Sequence, residues 1–295
     1  MSLFALLGAL EQGLVYGIMV LGVYLTFRIL DFPDLTVDGS LPLGAGVSAV
    51  CITHGMHPVA SLVMAMGAGF LAGAVTGILN TKLRILHLLA SILTMTALYS
   101  INIRVMSGPN VSLLGVDTVI DPLIRAGVPG YWASPVLFAG VVLVVIMALI
   151  WFLYTEIGQT LLATGDNLQM ITSQGVDTHK VIIFGVGLSN ALVALSGALI
   201  AQNQGAADVN MGVGTIVAGL ASVIVGETVF GAGSVPRAIV AAIVGSVIYR
   251  VAIALALGLK IGSFAFTPSD LNLITALLVV VALTAPKIKA RLKRC

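Results

Sequence analysis

Apolar runs of about 17 to 25 residues recur along the whole of this 295-residue chain, parted by short polar breaks. That recurrence limits the fold more than any other feature. Runs of such length suit α-helices crossing a hydrocarbon layer about 30 Å thick, and the alternating ten-residue segments of a membrane barrel do not occur in the sequence. Composition agrees: 59% of residues are hydrophobic and 9% charged, against about 25% charged in an average soluble domain. The predicted fold class is all-α, a polytopic transmembrane helical bundle of about nine or ten helices including broken ones, with residues 1–295 as one transmembrane domain. The opening MSLFALLGALEQG has neither a basic n-region nor a small-residue cleavage site, so its apolar segment is expected to stay in the mature protein.

Read between polar breaks, the candidate spans are residues 10–29, 41–54, 58–80, 85–106, 135–154, 180–202, 213–229, 236–257 and 270–286. Those at 41–54 and 213–229 are short and glycine-rich, as expected of half-helices that begin inside the membrane. Orientation follows from Lys and Arg placement. With an odd number of crossings and the tail APKIKARLKRC inside, the inner side holds Arg28, Lys82, Arg84, Lys180, Arg237 and the tail. The outer side then holds Arg104, Arg125, Arg250 and Lys260. The C-terminus is therefore expected in the cytoplasm and the N-terminus outside.

The sharpest polar break is RILDFPDLTVDGSLPLG, residues 28–44. Insertion scales put an aspartate at a helix centre at about 2.5–3.5 kcal/mol, so Asp31, Asp34 and Asp38 must face water, protein or one another. One account is structural: Pro33 stops the first helix, Asp34 or Asp38 caps a helix starting near Gly39, and Asp31 pairs with Arg28. A second, compatible account has the stretch enter the membrane beside a solute path, because a following span of about 14 residues covers only about 21 Å. The path candidates are Asp34, Thr36, Asp38 and Ser40, with Ser91, Thr94 and Asn102 on one face of the 85–106 helix. The order Asp34–Val37 through Ser48 recurs loosely as Asp208–Met211 through Ser222, which suggests an inverted repeat of broken helices.

Two loops stand out. Residues 107–135 hold Pro and Gly breaks around a short amphipathic stretch, Val116 to Ala126, with Tyr131 and Trp132 placed like an interfacial anchor. Residues 155–180 are too polar to span and too patterned to be disordered; a short helix is expected to begin near Gly165-Asp166 and to end at Gly175. His54, His57, His87 and His179 fall in different segments, so no metal site is expected. Cys51 and Cys295 make no disulfide framework, and no spacing of Ser, His or carboxylates suggests a catalytic residue. Secondary transport or a channel driven through the intramembrane aspartates is a reading that these residues leave open.

The run GQTLLATGDNLQMITSQGVDTHKVIIFGVGLSNALVALSGAL, residues 158–199, resembles the cytoplasmic coupling segment and following helix of permease subunits of branched-chain amino acid and ribose-type ABC importers. Gly165, Asp166, Asn167, Gly175, Val176, Asp177, Ser196 and Gly197 fill the positions of that pattern. Gly13, Tyr16, Gly17, Leu21 and Gly22 match the family's opening segment, and MGVGTIVAGLASVIVGETVFG resembles its glycine-rich return helix. DLTVDGS departs from the usual Asn-x-Ala/Ser-x-Gly element and resembles the subgroup associated with aromatic amino acid (tryptophan/tyrosine) binding proteins. The resemblance implies a bacterial inner-membrane importer, an extracytoplasmic solute-binding protein, a second permease copy in a homodimer, and contact with lipid but not nucleic acid. It also implies a separate ABC ATPase that holds ATP and Mg, this chain binding no cofactor. The residues agree on that point, since no lysine follows a glycine and a P-loop cannot be built without that pair.

Overall fold

The computed structural model describes residues 3–231, 233–258, 260–261, 264–265, 280 and 284. Its helices are α1 (Leu3–Tyr24), α2 (Val37–Thr53), α3 (Pro58–Thr81), α4 (His87–Met106), α5 (Asp121–Arg125), α6 (Gly130–Leu153), α7 (Glu156–Asp166), α8 (Leu168–Ser173), α9 (Thr178–Gln204), α10 (Thr215–Phe230) and α11 (Val235–Gly258). Two short strands, β1 (Asn110–Ser112) and β2 (Ala206–Asp208), pair antiparallel with Asn110 opposite Asp208. Among the described residues six helices are long and apolar enough to cross a membrane, and α2 and α10 are shorter apolar helices. The expected span at 270–286 and the basic tail lie outside the described residues, save Val280 and Thr284.

The first span does not end cleanly. Past α1 the chain continues through a π-helical turn, Leu25–Ile29, in which Thr26 Oγ1 bonds back to the carbonyls of Gly22 and Val23. Such turns mark places where an inserted residue displaces the helical register. Asp31 then takes a left-handed conformation, φ 52°, and the chain runs without helix or strand until α2 starts at Val37. A similar break separates α9 from α10, filled by β2 and a turn.

Helix α9 is the axis of the bundle, and small residues let its neighbours close on it. A Cβ on Gly69 or Gly73 of α3 would collide with the backbone carbonyls of Asn190 and Val186, so that face tolerates nothing larger than hydrogen. On the other side α1 runs antiparallel to α11, with Gly13 against Val247 and Gly17 against Ile243. The pairing of α3 with α9 and of α1 with α11 is the exchange that a two-fold axis in the membrane plane produces. Residue-by-residue alignment of Asp34–Val37 with Asp208–Met211 does not survive, however. Helix α2 starts directly after Asp34-Leu35-Thr36, whereas β2 and its turn separate Asp208 from α10. The repeat lies in the breaks, not in their letters.

One end of the bundle carries Ile29, the α3–α4 turn, α7, α8 and the end of α10; the other carries the α2–α3 turn, β1, β2 and α5. At that second end the 107–135 loop is fixed to the bundle. Gln202 accepts from Val119 N (3.0 Å) and donates to Ser48 Oγ (2.9 Å) and Ser61 Oγ (3.2 Å). Leu113 and Val119 of this loop are buried. The amphipathic stretch expected over Val116 to Ala126 contracts to the five-residue α5, because Pro122 starts it and Gly127, at φ 91°, ends it.

Candidate functional site

The stretch Asp34 to Ser40 enters the bundle, and Asn190 holds it there. Asp34 Oδ1 accepts from Thr36 N (2.9 Å), which closes the turn before α2. Asp34 Oδ2 accepts from Asn190 Nδ2 (2.7 Å), and Asn190 Oδ1 accepts from Ser40 Oγ (2.7 Å). Thr36 Oγ1 meets Thr76 Oγ1 at 2.8 Å. Asp34, Thr36, Ser40, Thr76 and Asn190 are all buried, and Asn190 lies near the middle of the 27-residue α9. The break therefore sits at mid-span depth, where irregular backbone survives only when protein covers it.

Asp38 does something else. Its Oδ1 accepts from Ile216 N (2.9 Å) and Thr215 Oγ1 (3.0 Å), and its Oδ2 from Gly214 N (3.0 Å). It lies in the first turn of α2 yet caps α10, 177 residues away at Thr215. Two half-helices thus begin side by side and run to opposite ends of the bundle, one carboxylate facing the positive end of each. The junction is tightened by Pro42, which has no N–H to offer the Asp38 carbonyl one turn back. Gly212 lies directly on that carbonyl, where any Cβ would collide.

The expected cap near Gly39 is therefore corrected in two ways: the helix starts at Val37, and Asp34 serves its start while Asp38 serves another helix. The expected Asp31–Arg28 pair is also corrected. Arg28 Nε bonds Glu227 Oε1 at 2.9 Å, because the left-handed turn at Asp31 carries that side chain away while the end of α10 packs beside the π-helical turn. Asn190 and Thr76 went unnoticed in the sequence; Asn190 alone left a signal, as an amide within an apolar run.

The remaining path candidates lie on α4. Ser91, Thr94 and Asn102 are buried, and the first two bond to their own helix. Asn102 Nδ2 donates to Gly39 O at 3.1 Å, tying α4 to the start of α2. Thr94 borders an apolar groove of about 520 Å³ between α2, α3 and α4. Asp34, Thr36 and Ser40 border none of the described clefts. In a background lacking Cys51 and Cys295, cysteines replacing Thr36 and Ser40 should react with a small aqueous thiol reagent about tenfold or more slowly than one replacing exposed Gln174. Equal rates would place the stretch in open water.

At the other end of the break, α7 packs on the π-helical turn. Gly165 sits against the carbonyl of Ile29 and Leu30 Cα, so tightly that a Cβ there would overlap the carbonyl. This corrects the expected helix start. Gly165 and Asp166 close α7, and Asn167 is the N-cap of α8, its Oδ1 accepting from Met170 N at 2.9 Å. Gly175 follows at φ 87°, a conformation that costs a residue with a Cβ about 1–2 kcal/mol. Asp177 caps α9, and its hydrogen bond from Lys180 holds the carboxyl below the usual carboxylate range. Arg84, His87, Thr164 and His179 line a cleft of about 460 Å³ beside this segment. Among the described residues no group of His, Cys, Asp and Glu could hold a metal ion.

The family described as branched-chain amino acid transport system / permease component matches residues 5–284. A tyrosine transport system permease protein of Clostridioides difficile (strain R20291) is 41% identical over 290 residues, 98% of this chain and 94% of that protein. The autoinducer 2 import system permease protein LsrC of Yersinia pseudotuberculosis (serotype O:3, strain YPIII) is 26% identical over 211 residues, 66% of this chain and 58% of that protein. Among solved structures, PsaBC from Streptococcus pneumoniae in complex with Fab superposes with a TM-score of 0.54 at 18% identity. That match covers 96% of this chain and 91% of the other, a likeness of fold.

Proposed function

This chain belongs to the branched-chain amino acid transport system permease family, and on that premise we propose that the solute it passes is an aromatic amino acid, tyrosine or tryptophan. It is the membrane-spanning permease subunit of an ATP-driven importer and not an enzyme. Membership sets aside the ion-coupled secondary transporter and the channel that the intramembrane aspartates left open. The observation that carries the choice of solute is the 41% identity to a tyrosine transport system permease over 98% of this chain. The DLTVDGS element points the same way.

In the arrangement we propose, α7 and α8 face the cytoplasm and dock in a groove of a separate ATPase that holds ATP and Mg. Gly165, Asp166, Asn167 and Gly175 shape that segment. The loop at 107–135, at the opposite end, meets an extracytoplasmic binding protein, and the chain sits in the plasma membrane with its C-terminus inside and its N-terminus outside. Exposed Arg28, Lys82, Arg84, Lys180 and Arg237 gather at the α7–α8 end, which supports this orientation.

A second copy of the chain completes the pathway, and α4 supports that reading. Its unpartnered face carries exposed Thr96, Tyr99, Ser100 and Arg104, whereas α6 exposes Val136, Leu143, Val144 and Met147. An aliphatic face suits lipid; exposed Thr96 and Ser100 along α4, with Arg104 in its last turn, suit a protein partner better. The test is uptake of labelled tyrosine and tryptophan into vesicles holding the permease, its ATPase and its binding protein. ATP-dependent accumulation of either supports the reading, and accumulation of neither overturns it.

A further inference from the structure

Arg250 lies in α11 about eight residues, or about 12 Å, from the helix end remote from α7 and α8. An arginine at such depth ordinarily bends its head to the nearest interface. This one turns the other way. Because α1 and α11 are antiparallel, with Gly13 against Val247 and Gly17 against Ile243, Tyr16 lies level with the residues that follow Ile243, deeper than Arg250. The guanidinium carbon sits 3.6 Å from the centre of the Tyr16 ring, so the charge is directed toward the membrane interior. The close approach that Gly13 and Gly17 permit is what brings the two side chains together.

Both side chains are half-buried. Among the described residues Arg250 has no carboxylate in ion-pair distance; the ion pairs there are Arg28–Glu227, Arg125–Asp117 and Lys180–Asp177. Glu11, the acid on the same helix as Tyr16, is engaged by Asn203 of α9. An aromatic face offsets only part of the cost of holding a cation at this depth. What remains calls for an anion, and among the described residues none is built in. A guanidinium with a free edge is shaped for two parallel hydrogen bonds to one carboxylate.

We propose that Arg250, laid on the ring of Tyr16, holds the carboxylate of the amino acid as it passes through the half of the membrane domain remote from α7 and α8. The proposal rests on the amino acid reading above and names a point of contact within it. A phosphate of an anionic lipid offers similar oxygens, so the experiment has to separate the two sources.

The test uses the whole importer, with its ATPase and binding protein, in vesicles of phosphatidylcholine alone and with added phosphatidylglycerol. Arg250→Gln is expected to lower tyrosine or tryptophan uptake by about tenfold or more in both vesicles, the loss of a charge-assisted pair. Arg250→Lys should recover part of it, keeping charge without the fork. Tyr16→Phe should stay near wild type because the ring face remains, while Tyr16→Leu should fall several-fold.

Uptake by Arg250→Gln within about twofold of wild type overturns the proposal. A loss confined to vesicles with phosphatidylglycerol assigns the site to lipid phosphate and overturns it too. Should Arg250→Gln fail to assemble, equal uptake by Tyr16→Leu and Tyr16→Phe is the overturning result. Wild-type vesicles that take up no amino acid remove the underlying reading and this proposal together, whereas wild-type uptake beside an unimpaired Arg250→Gln removes the proposal alone.

Discussion

Asp38→Ala should leave an importer that inserts but neither packs nor transports. The carboxylate receives Gly214 N, Ile216 N and Thr215 Oγ1, and alanine offers them nothing. Ile216 is buried, so no water replaces its lost acceptor, whereas Gly214 is exposed and Thr215 Oγ1 keeps the Gly212 carbonyl at 2.9 Å. A stranded buried donor costs about 1–3 kcal/mol, and that cost falls on the Ile216 amide. Loss of the anion at the α10 N-terminus adds about 0.3–2 kcal/mol. The variant's thermal unfolding in detergent should therefore fall well below wild type, and uptake with it. Asp38→Asn, which keeps one acceptor oxygen, should fall between. An Asp38→Ala protein that melts with wild type and transports within about twofold of it would show that the α10 start finds its donors a different acceptor.

The second large effect is expected at Gly165. A side chain there meets the Ile29 carbonyl and Leu30, both backbone of the π-helical turn that leads into the α2 break. Neither can yield by rotating a side chain. Gly165→Val should push α7 off that turn, and the two readouts should part: the ATPase still binds and hydrolyses, while uptake falls by about tenfold or more. The expected separation follows from position, since α8 and its Asn167 cap lie beyond the substitution and keep their own hydrogen bond. A Gly165→Val importer with unchanged uptake, or one that no longer binds the ATPase at all, would break the link drawn between α7 and the start of α2. Both variants strike one line through the molecule: α7 bears on Ile29, the break begins two residues later, and Asp38 joins the half-helix it releases to the other.

Why some of this was legible in the sequence is a matter of range. A membrane span declares itself locally, because about 20 apolar residues in a row have no other cheap environment, and so 58–80, 85–106 and 180–202 were placed within a few residues of α3, α4 and α9. The short runs at 41–54 and 213–229 marked α2 and α10 by the same local rule. Their polar flanks announced a break, since three aspartates cannot rest in hydrocarbon. The identity of each aspartate's partner had no such local signature. Asp34 is bound by Asn190 and Asp38 by the start of α10, both more than 150 residues away, and Arg28 chose Glu227 over the nearby Asp31.

The sequence by itself determined that this chain lives in a membrane and where its helices are interrupted, because burial of apolar length is a sum over neighbouring residues. Only the tertiary structure decided what closes those interruptions. Inside a bilayer every backbone donor must find an acceptor within the protein, and the acceptor it finds is whichever group the packing brings near. For α10 that group is a side chain on α2, made reachable because Gly212 lets the two backbones touch. Such a partnership depends on how helices cross, and helix crossing is fixed by small residues acting in rows, a property of pairs of segments that no single stretch of sequence contains.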